Sequence, residues 1–412
     1  MGITTHIKKL LVGNGLAQAL QLVSLLVLSR IYYPSDFGVL AQVQSISTAA
    51  VVIATLQLHL TIPLCKNNDE ARIASESVQS ITFILFLSFL PIAIYLGKVF
   101  VFSIFLAFAL GLTNNYNSYL VFNGEFGRMS RFYVLRAILI IALQISFAHF
   151  SVPDGLLWGT VLAECISAIC LRILTLGSLF RIKVDIHKGL EMAFKLKSFS
   201  LYGTIQELIS VSAFYAPLFL FANKYGESIG GQYAMASRLV WGPVVLISSS
   251  LSQVLYHKFG KQTPNEIWSL RYIFFNKTVL FCTIGVCSLS FLSENVFLFM
   301  LGSKWGLACK ILTLQIIWGG IFLLSVPFRV ALRVMLLQKY QLIIDACTLV
   351  ITAMLFGFIN VTPMVMMWVL VMTVLVQNAF LSTIVWSTLK SVSVRMINES
   401  REITKTGWAS LL

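Results

Sequence analysis

Apolar residues run through this chain in long blocks, each about as long as a bilayer crossing, from Leu10 almost to the C-terminal end. A hydrocarbon core takes about 20 apolar residues of helix, and that ruler predicts about twelve spans. They cover 10–31, 38–64, 77–97, 99–122, 132–151, 154–176, 200–222, 230–256, 272–293, 307–337, 341–361 and 363–389. The tenth is too long for one straight crossing, so a kink at Pro327 or an interfacial entry is expected. Barrel strands would be shorter and would alternate with period two, which these blocks do not. Lys8 and Lys9 ahead of Leu10 could open a signal peptide, but the stretch to Ile31 is too long and another span follows at once. It reads as a retained first helix. The pattern predicts an all-α polytopic membrane protein.

Composition agrees. Hydrophobic residues make up 58% of the 412 positions and charged ones 11%, with a mean hydropathy of +0.86. A soluble core stops growing at about 250–300 residues, so a soluble chain could not bury this much apolar surface. Lipid has to be its solvent. Of the seven cysteines, Cys165, Cys170, Cys282, Cys287 and Cys347 fall within predicted spans, where they read as small packing residues rather than disulfides or metal ligands.

The net charge of +14 would suggest nucleic acid in a soluble protein. Here it reports topology, because short cytoplasmic loops collect Lys and Arg. One side holds both termini with Lys8, Lys9, Lys66, Arg72, Arg128, Arg131, Lys258, Lys261, Arg271, Lys339, Lys390, Arg395, Arg401 and Lys405, plus Arg181, Lys183, Lys188, Lys195 and Lys197. The other holds Arg30, Lys98, Lys224, Lys304 and Lys310. The split, roughly twenty to five, places both termini in the cytoplasm and removes the need for a nucleic-acid partner. Loops on the opposite side are very short, such as Tyr33-Pro34-Ser35-Asp36 and Ser151-Val152-Pro153-Asp154, and leave no room for a catalytic domain.

The longest loop, 177–199, mixes basic and apolar residues and suits either a helix on the anionic leaflet or a solvated linker. It divides the chain into a six-helix half at 1–176, a second at 200–390, and a tail at 391–412. Weak self-similarity follows the cut. Phe37-Gly38-Val39-Leu40-Ala41 enters the second span much as Gly231-Gln232-Tyr233-Ala234 enters the eighth. Transporters are often built from such repeats, although chance matching of small and apolar residues competes.

Charges inside spans cost about 2.5–3.5 kcal/mol each at helix centre and persist where they face protein or water. The basic candidates are Arg30, Arg238, Arg329 and Arg333, the last two four residues apart on one helix face. The acids are Glu164, Glu207 and Asp345. Asn14, Gln18 and Gln21 cluster in the first span, and Asn114, Asn115 and Asn117 in the fourth. Bland uses exist for each: Arg30 snorkelling, Arg333 flanking the membrane, acids neutralising arginines, amides bonding between helices. The excess of arginine favours an anionic cargo, since the guanidinium fork matches phosphate oxygens. No G-x-x-x-x-G-K-[ST] loop, H-E-x-x-H or C-x-x-C pair is present, so no nucleotide, metal or other cofactor is expected. A drug or cation antiporter would want an acidic or apolar path. A membrane glycosyltransferase or polysaccharide polymerase would want a long outside loop.

Several stretches resemble the Wzx-type O-antigen and polysaccharide flippases of the multidrug/oligosaccharidyl-lipid/polysaccharide (MOP) exporter superfamily. They are GNGLAQALQLVSLLVLSRIYYPSDFGVLA (Gly13–Ala41), IATLQLHLTIPLCKNNDEA (Ile53–Ala71), APLFLFANKYG (Ala216–Gly226), GGQYAMASRLVWGPVVLISSSLSQV (Gly230–Val254) and LGSKWGLA (Leu301–Ala308), then Ser325, Pro327 and Gln338. The resemblance implies two six-helix bundles around a central polar cavity, working by alternating access. It implies an undecaprenyl-diphosphate-linked oligosaccharide as cargo, moved across a bacterial inner membrane for O-antigen, lipopolysaccharide or another surface polysaccharide. It also implies a proton or sodium gradient, and a polysaccharide polymerase and chain-length regulator as partners beside membrane lipids. On that reading Arg30, Arg238, Arg329, Arg333, Asn14 and Gln18 contact the cargo, while Glu164, Glu207 and Asp345 are the candidates for ion coupling. Where many relatives carry an acid before the Pro-x-x-Lys turn, this sequence has His59.

Overall fold

The computed structural model describes residues 3–176, 197–259, 277–335 and 337–409, which are helical almost throughout. Twelve α-helices are present among them: α1 (Ile3–Ile31), α2 (Pro34–Thr55), α3 (Asn68–Leu96), α4 (Lys98–Phe122), α5 (Phe126–His149), α6 (Gly155–Leu176), α7 (Lys197–Tyr225), α8 (Glu227–Phe259), α9 (Lys277–Leu301), α10 (Gly306–Val334), α11 (Gln338–Phe358) and α12 (Pro363–Ala409). Eleven have the length and apolar character to cross a membrane. The other, α9, has 25 residues, ample for a hydrocarbon core about 30 Å thick. The all-α polytopic reading holds.

Three boundaries differ from the sequence reading. The span predicted at 38–64 stops at Thr55, because Leu56 (φ 45°) and Gln57 (φ 56°) turn left-handed and a 3-10 helix follows over Leu58–Leu64. The third helix starts at Asn68 rather than near 77. Its polar first turns are held by a local cap: Glu70 N donates to Asn67 Oδ1 at 2.8 Å, and Lys66 N donates to Glu70 Oε2 at 3.0 Å. Helix α12 runs on through most of the predicted tail at 391–412. Of the predicted linker 177–199, all but its last three residues lie outside the described residues.

Two compact units are present, one of residues 1–235 with 298–307, the other of 236–297 with 308–412. The cut does not follow the linker. Helix α7 packs with α2 and α4, setting Leu208 and Val211 against Val51, Val52 and Ala107. In the first unit α1 lies on α5 so closely that a Cβ on Gly13 would strike Ser130. Tyr32 Oη donates to the Gln144 carbonyl at 2.7 Å and Gln144 Nε2 to Thr160 Oγ1 at 2.8 Å, tying α5 to α6 and to the end of α1. In the second unit α10 carries the core, with Val326, Val330, Ala331 and Leu332 packed among Leu255, Leu381 and Val385.

The 3-10 segment buries Leu58 and Ile62 against Ala71, Ala74 and Val78, and His59 goes in with them. Its Nδ1 finds no partner, and desolvation lowers its pKa from 6.5 to about 4. The unfolded chain therefore binds a proton first as pH falls, so this contribution to stability is complete above pH 6.5 and lost on the way down to pH 4. Between pH 7 and 4 the stability of the wild type should fall by up to roughly 3 kcal/mol more than that of His59→Gln, read from unfolding curves at each pH. Parallel curves would contradict the buried neutral imidazole.

Candidate functional site

The predicted site residues fall into separate groups, and each group has its own chemistry. Arg30 closes α1, where it donates through Nη2 to the carbonyls of Phe299 (2.7 Å) and Met300 (3.0 Å) at the end of α9. A helix leaves its last four carbonyls without partners and carries partial negative charge there, so a guanidinium suits that position. The favour is returned. Lys304 Nζ donates to the carbonyls of Arg30 (3.2 Å) and Tyr32 (2.7 Å), and buried Trp305 donates through Nε1 to that of Ser29 (3.0 Å) while its ring meets Phe37 edge-on. Two helix C-termini thus exchange caps.

Beside them α2 and α8 touch backbone to backbone. A Cβ on Gly38 would collide with the Glu227 carbonyl, and one on Gly231 with that of Pro34. The two glycines that the sequence pairs as repeat counterparts therefore sit against each other. Gln232 Nε2 completes the junction on the Lys304 carbonyl at 2.6 Å. Gly38→Val or Gly231→Val should separate these helices and cost at least about 1–3 kcal/mol, the usual penalty of overpacking. Unchanged thermal unfolding would show that the approach is looser than described.

Glu164 lies on α6 with Arg136 of α5 clasped on it in a two-bond fork, 2.7 Å from Nε and 2.6 Å from Nη2. The carboxylate is almost wholly enclosed. Asn14 and Gln18 are half-buried on α1, and Gln18 Oε1 has no partner. Glu207 is exposed on α7 and makes no ion pair among the described residues.

The second unit holds the other arginines. Arg329 on α10 faces Asp345 of α11 across 3.8 Å, a single loose contact. Its Nε reaches Ser325 Oγ at 3.3 Å, and its guanidinium lies 5.5 Å from the Phe322 ring centre. Gln377 Nε2 contacts Asp345 at 3.4 Å. Phe322 and Trp318 both meet Trp241 of α8 edge-to-face, at 5.5 and 5.7 Å. Trp318, Phe322, Ser325 and Arg329 recur at helical spacing, so they form one stripe along α10. Arg238, three residues before Trp241, is half-buried. Arg333 is exposed and, among the described residues, reaches Gln341 at 3.5 Å. The stripe sets aromatic faces beside a cation that meets Asp345 across 3.8 Å.

A family model described as polysaccharide biosynthesis protein matches residues 27–310. The chain belongs to that family. Among solved structures it is similar to the lipid II flippase MurJ in an inward closed conformation, with TM-score 0.71 and 13% identity over 96% of this chain and 92% of that one. It is also similar to an inward-facing multidrug resistance MATE transporter of the MOP superfamily (TM-score 0.58, 14% identity, 93% and 96% covered). A MOP superfamily transporter from Pyrococcus furiosus is a third (TM-score 0.56, 13% identity, 94% and 96% covered). No curated protein matches by sequence. The fold of this polysaccharide biosynthesis protein is that of the MOP transporters.

Four residues that matter here escaped the sequence reading. Arg136 and Arg172 sit where a span could simply have begun or ended, so neither stood out as intramembrane charge. Trp241 and Trp318 are two of 8 tryptophans. The signal for them was their distance in sequence from Arg238 and Arg329, three residues and one helical stripe.

Proposed function

We propose that this protein is a flippase that carries undecaprenyl-diphosphate-linked oligosaccharide repeat units across the bacterial inner membrane by alternating access, feeding O-antigen or another surface polysaccharide. The observation that carries the reading is the stripe of Trp318, Phe322 and Arg329 with Trp241 across from it. Sugar rings would pack on the aromatic faces while Arg329 takes a diphosphate oxygen, exchanging the loose contact to Asp345 for a better one. Arg238 stands one turn from Trp241 and would supply a second positive partner, which a buried dianion needs. Family membership and the MOP fold support the same conclusion. A cationic drug would meet arginines here, which disfavours the antiporter reading.

Arg30 belongs on this reading to a latch rather than to the cargo site, because its Nη2 is held by the α9 carbonyls of Phe299 and Met300. The latch lies on the side opposite the positively charged loops and would have to open when cargo leaves. Glu164 is held by Arg136, and Asp345 faces Arg329, so Glu207 is the acid best placed to take up a proton from a gradient. Glu207→Gln should fold normally and lose the gradient dependence of transport. Full dependence in that variant would move coupling elsewhere. For the function as a whole, deleting the gene should abolish the surface polysaccharide while lipid-linked units accumulate facing the cytoplasm. Units reaching the outer leaflet at the normal rate, with no second flippase present, would overturn the assignment.

A further inference from the structure

The first unit contains a buried cation that none of these roles uses. Arg172 lies one turn from the end of α6 and is 6% exposed. Its one side-chain hydrogen bond among the described residues runs from Nη1 to Tyr116 Oη at 3.1 Å, and the Tyr116 proton is itself committed to Gln79 Oε1 at 3.1 Å. Tyr116 is therefore a neutral acceptor and carries no compensating charge. The buried Nε of Arg172 has no acceptor.

No carboxylate among the described residues reaches it. Glu164, farther along the same helix, is consumed by Arg136. On α3, Glu76 pairs with Arg72, and Glu70 accepts from Lys66 N and Asn67 Nδ2 at the start of the helix. The α6 C-terminus supplies at most about half a negative charge. A guanidinium always carries its proton, and an enclosed charge without a partner is costly. Among the described residues Arg329 and Arg136 each have an acid, and Arg172 does not.

Tyr116 and Gln79 lead from Arg172 to hydroxyls and amides of α3 and α4. Ser75, one turn from Gln79 on α3, has a buried Oγ without a partner, as does Ser167 on α6. Asn115 Nδ2 holds the Ser75 carbonyl at 3.0 Å. Hydroxyl protons rotate to suit an acceptor, so these groups can donate to an anion. Tyr116 and Leu171 are fully buried in the same apolar cluster.

We propose that Arg172, with the Ser75–Gln79 face of α3 and Tyr116 of α4, binds one monovalent inorganic anion, chloride being the abundant one. The ion neutralises Arg172 and fastens α3, α4 and α6 together. It is a site distinct from the aromatic stripe and does not depend on the cargo.

The test uses the purified full chain in detergent. Melting temperature is measured in gluconate buffer while sodium chloride, bromide, nitrate or phosphate is added at constant ionic strength. The wild type should gain several degrees with chloride and bromide, saturably, as a ligand of the folded state does. Arg172→Met should lose that response and Arg172→Lys should keep part of it. Should the methionine variant fail to fold, crystals of the wild type soaked in bromide should give an anomalous peak at the Arg172 guanidinium. A halide response equal in wild type and Arg172→Met, a response to phosphate alone, or no bromide peak at Arg172 would each overturn the proposal.

Discussion

Arg136→Ala should destabilise the first unit by about 3–5 kcal/mol, the cost of stripping one partner from a buried ion pair. The pair is short and two-pronged, at 2.6 and 2.7 Å, and the acid is nearly sealed, so little water would replace the arginine. Glu164→Gln should also destabilise, because it leaves the cation. The double change Arg136→Met with Glu164→Leu should recover much of the loss, since a well-packed apolar pair often matches a buried ionic one. Thermal unfolding in detergent checks all three. Single variants as stable as the wild type would contradict the buried ion pair as an anchor of α5 on α6.

The second large effect concerns transport. Arg329→Ala should cut it by about tenfold to a hundredfold, matching the roughly 1.5–3 kcal/mol that a hydrogen bond to a charged group contributes. Removing Arg329 also strands Asp345, so the informative comparison is Arg329→Ala combined with Asp345→Asn. That double variant should regain stability and remain defective in transport. Arg329→Lys should rescue in part, because a point charge cannot reproduce the guanidinium fork. Trp241→Ala should impair transport with little change in folding, given that the ring is only half-buried. A double variant that transports normally would take Arg329 out of the cargo site.

The two arginine pairs show why one sequence signal meant two things. Glu164 and Asp345 look alike in a string of letters, each a lone acid in an apolar block. In the fold, one is locked by a bidentate partner and the other faces its arginine across 3.8 Å. That difference is set by which residues of neighbouring helices arrive at the same depth, and no local pattern encodes it. Arg30 teaches the same lesson, since its partners are carbonyls of Phe299 and Met300, far along the chain. What sequence does encode is the apolar block length, and from it came eleven helices confirmed as span-like. It failed at Leu56 and Gln57, where two left-handed residues break an apolar run with no glycine or proline at the break itself. The glycines at 38 and 231 were legible as a pattern, but their meeting was not.

The central claim is movement of a lipid-linked oligosaccharide, and reconstitution tests it most directly. Liposomes would carry the purified protein and an undecaprenyl-diphosphate-linked oligosaccharide, with a membrane-impermeant glycosidase added outside under an imposed pH gradient. The fraction of sugar cleaved should rise with time beyond the outer-leaflet share, with the Arg329→Ala/Asp345→Asn protein staying near the protein-free baseline. Cleavage that stops at the outer-leaflet share for the wild type, in liposomes where the protein is shown to be folded, would contradict the account.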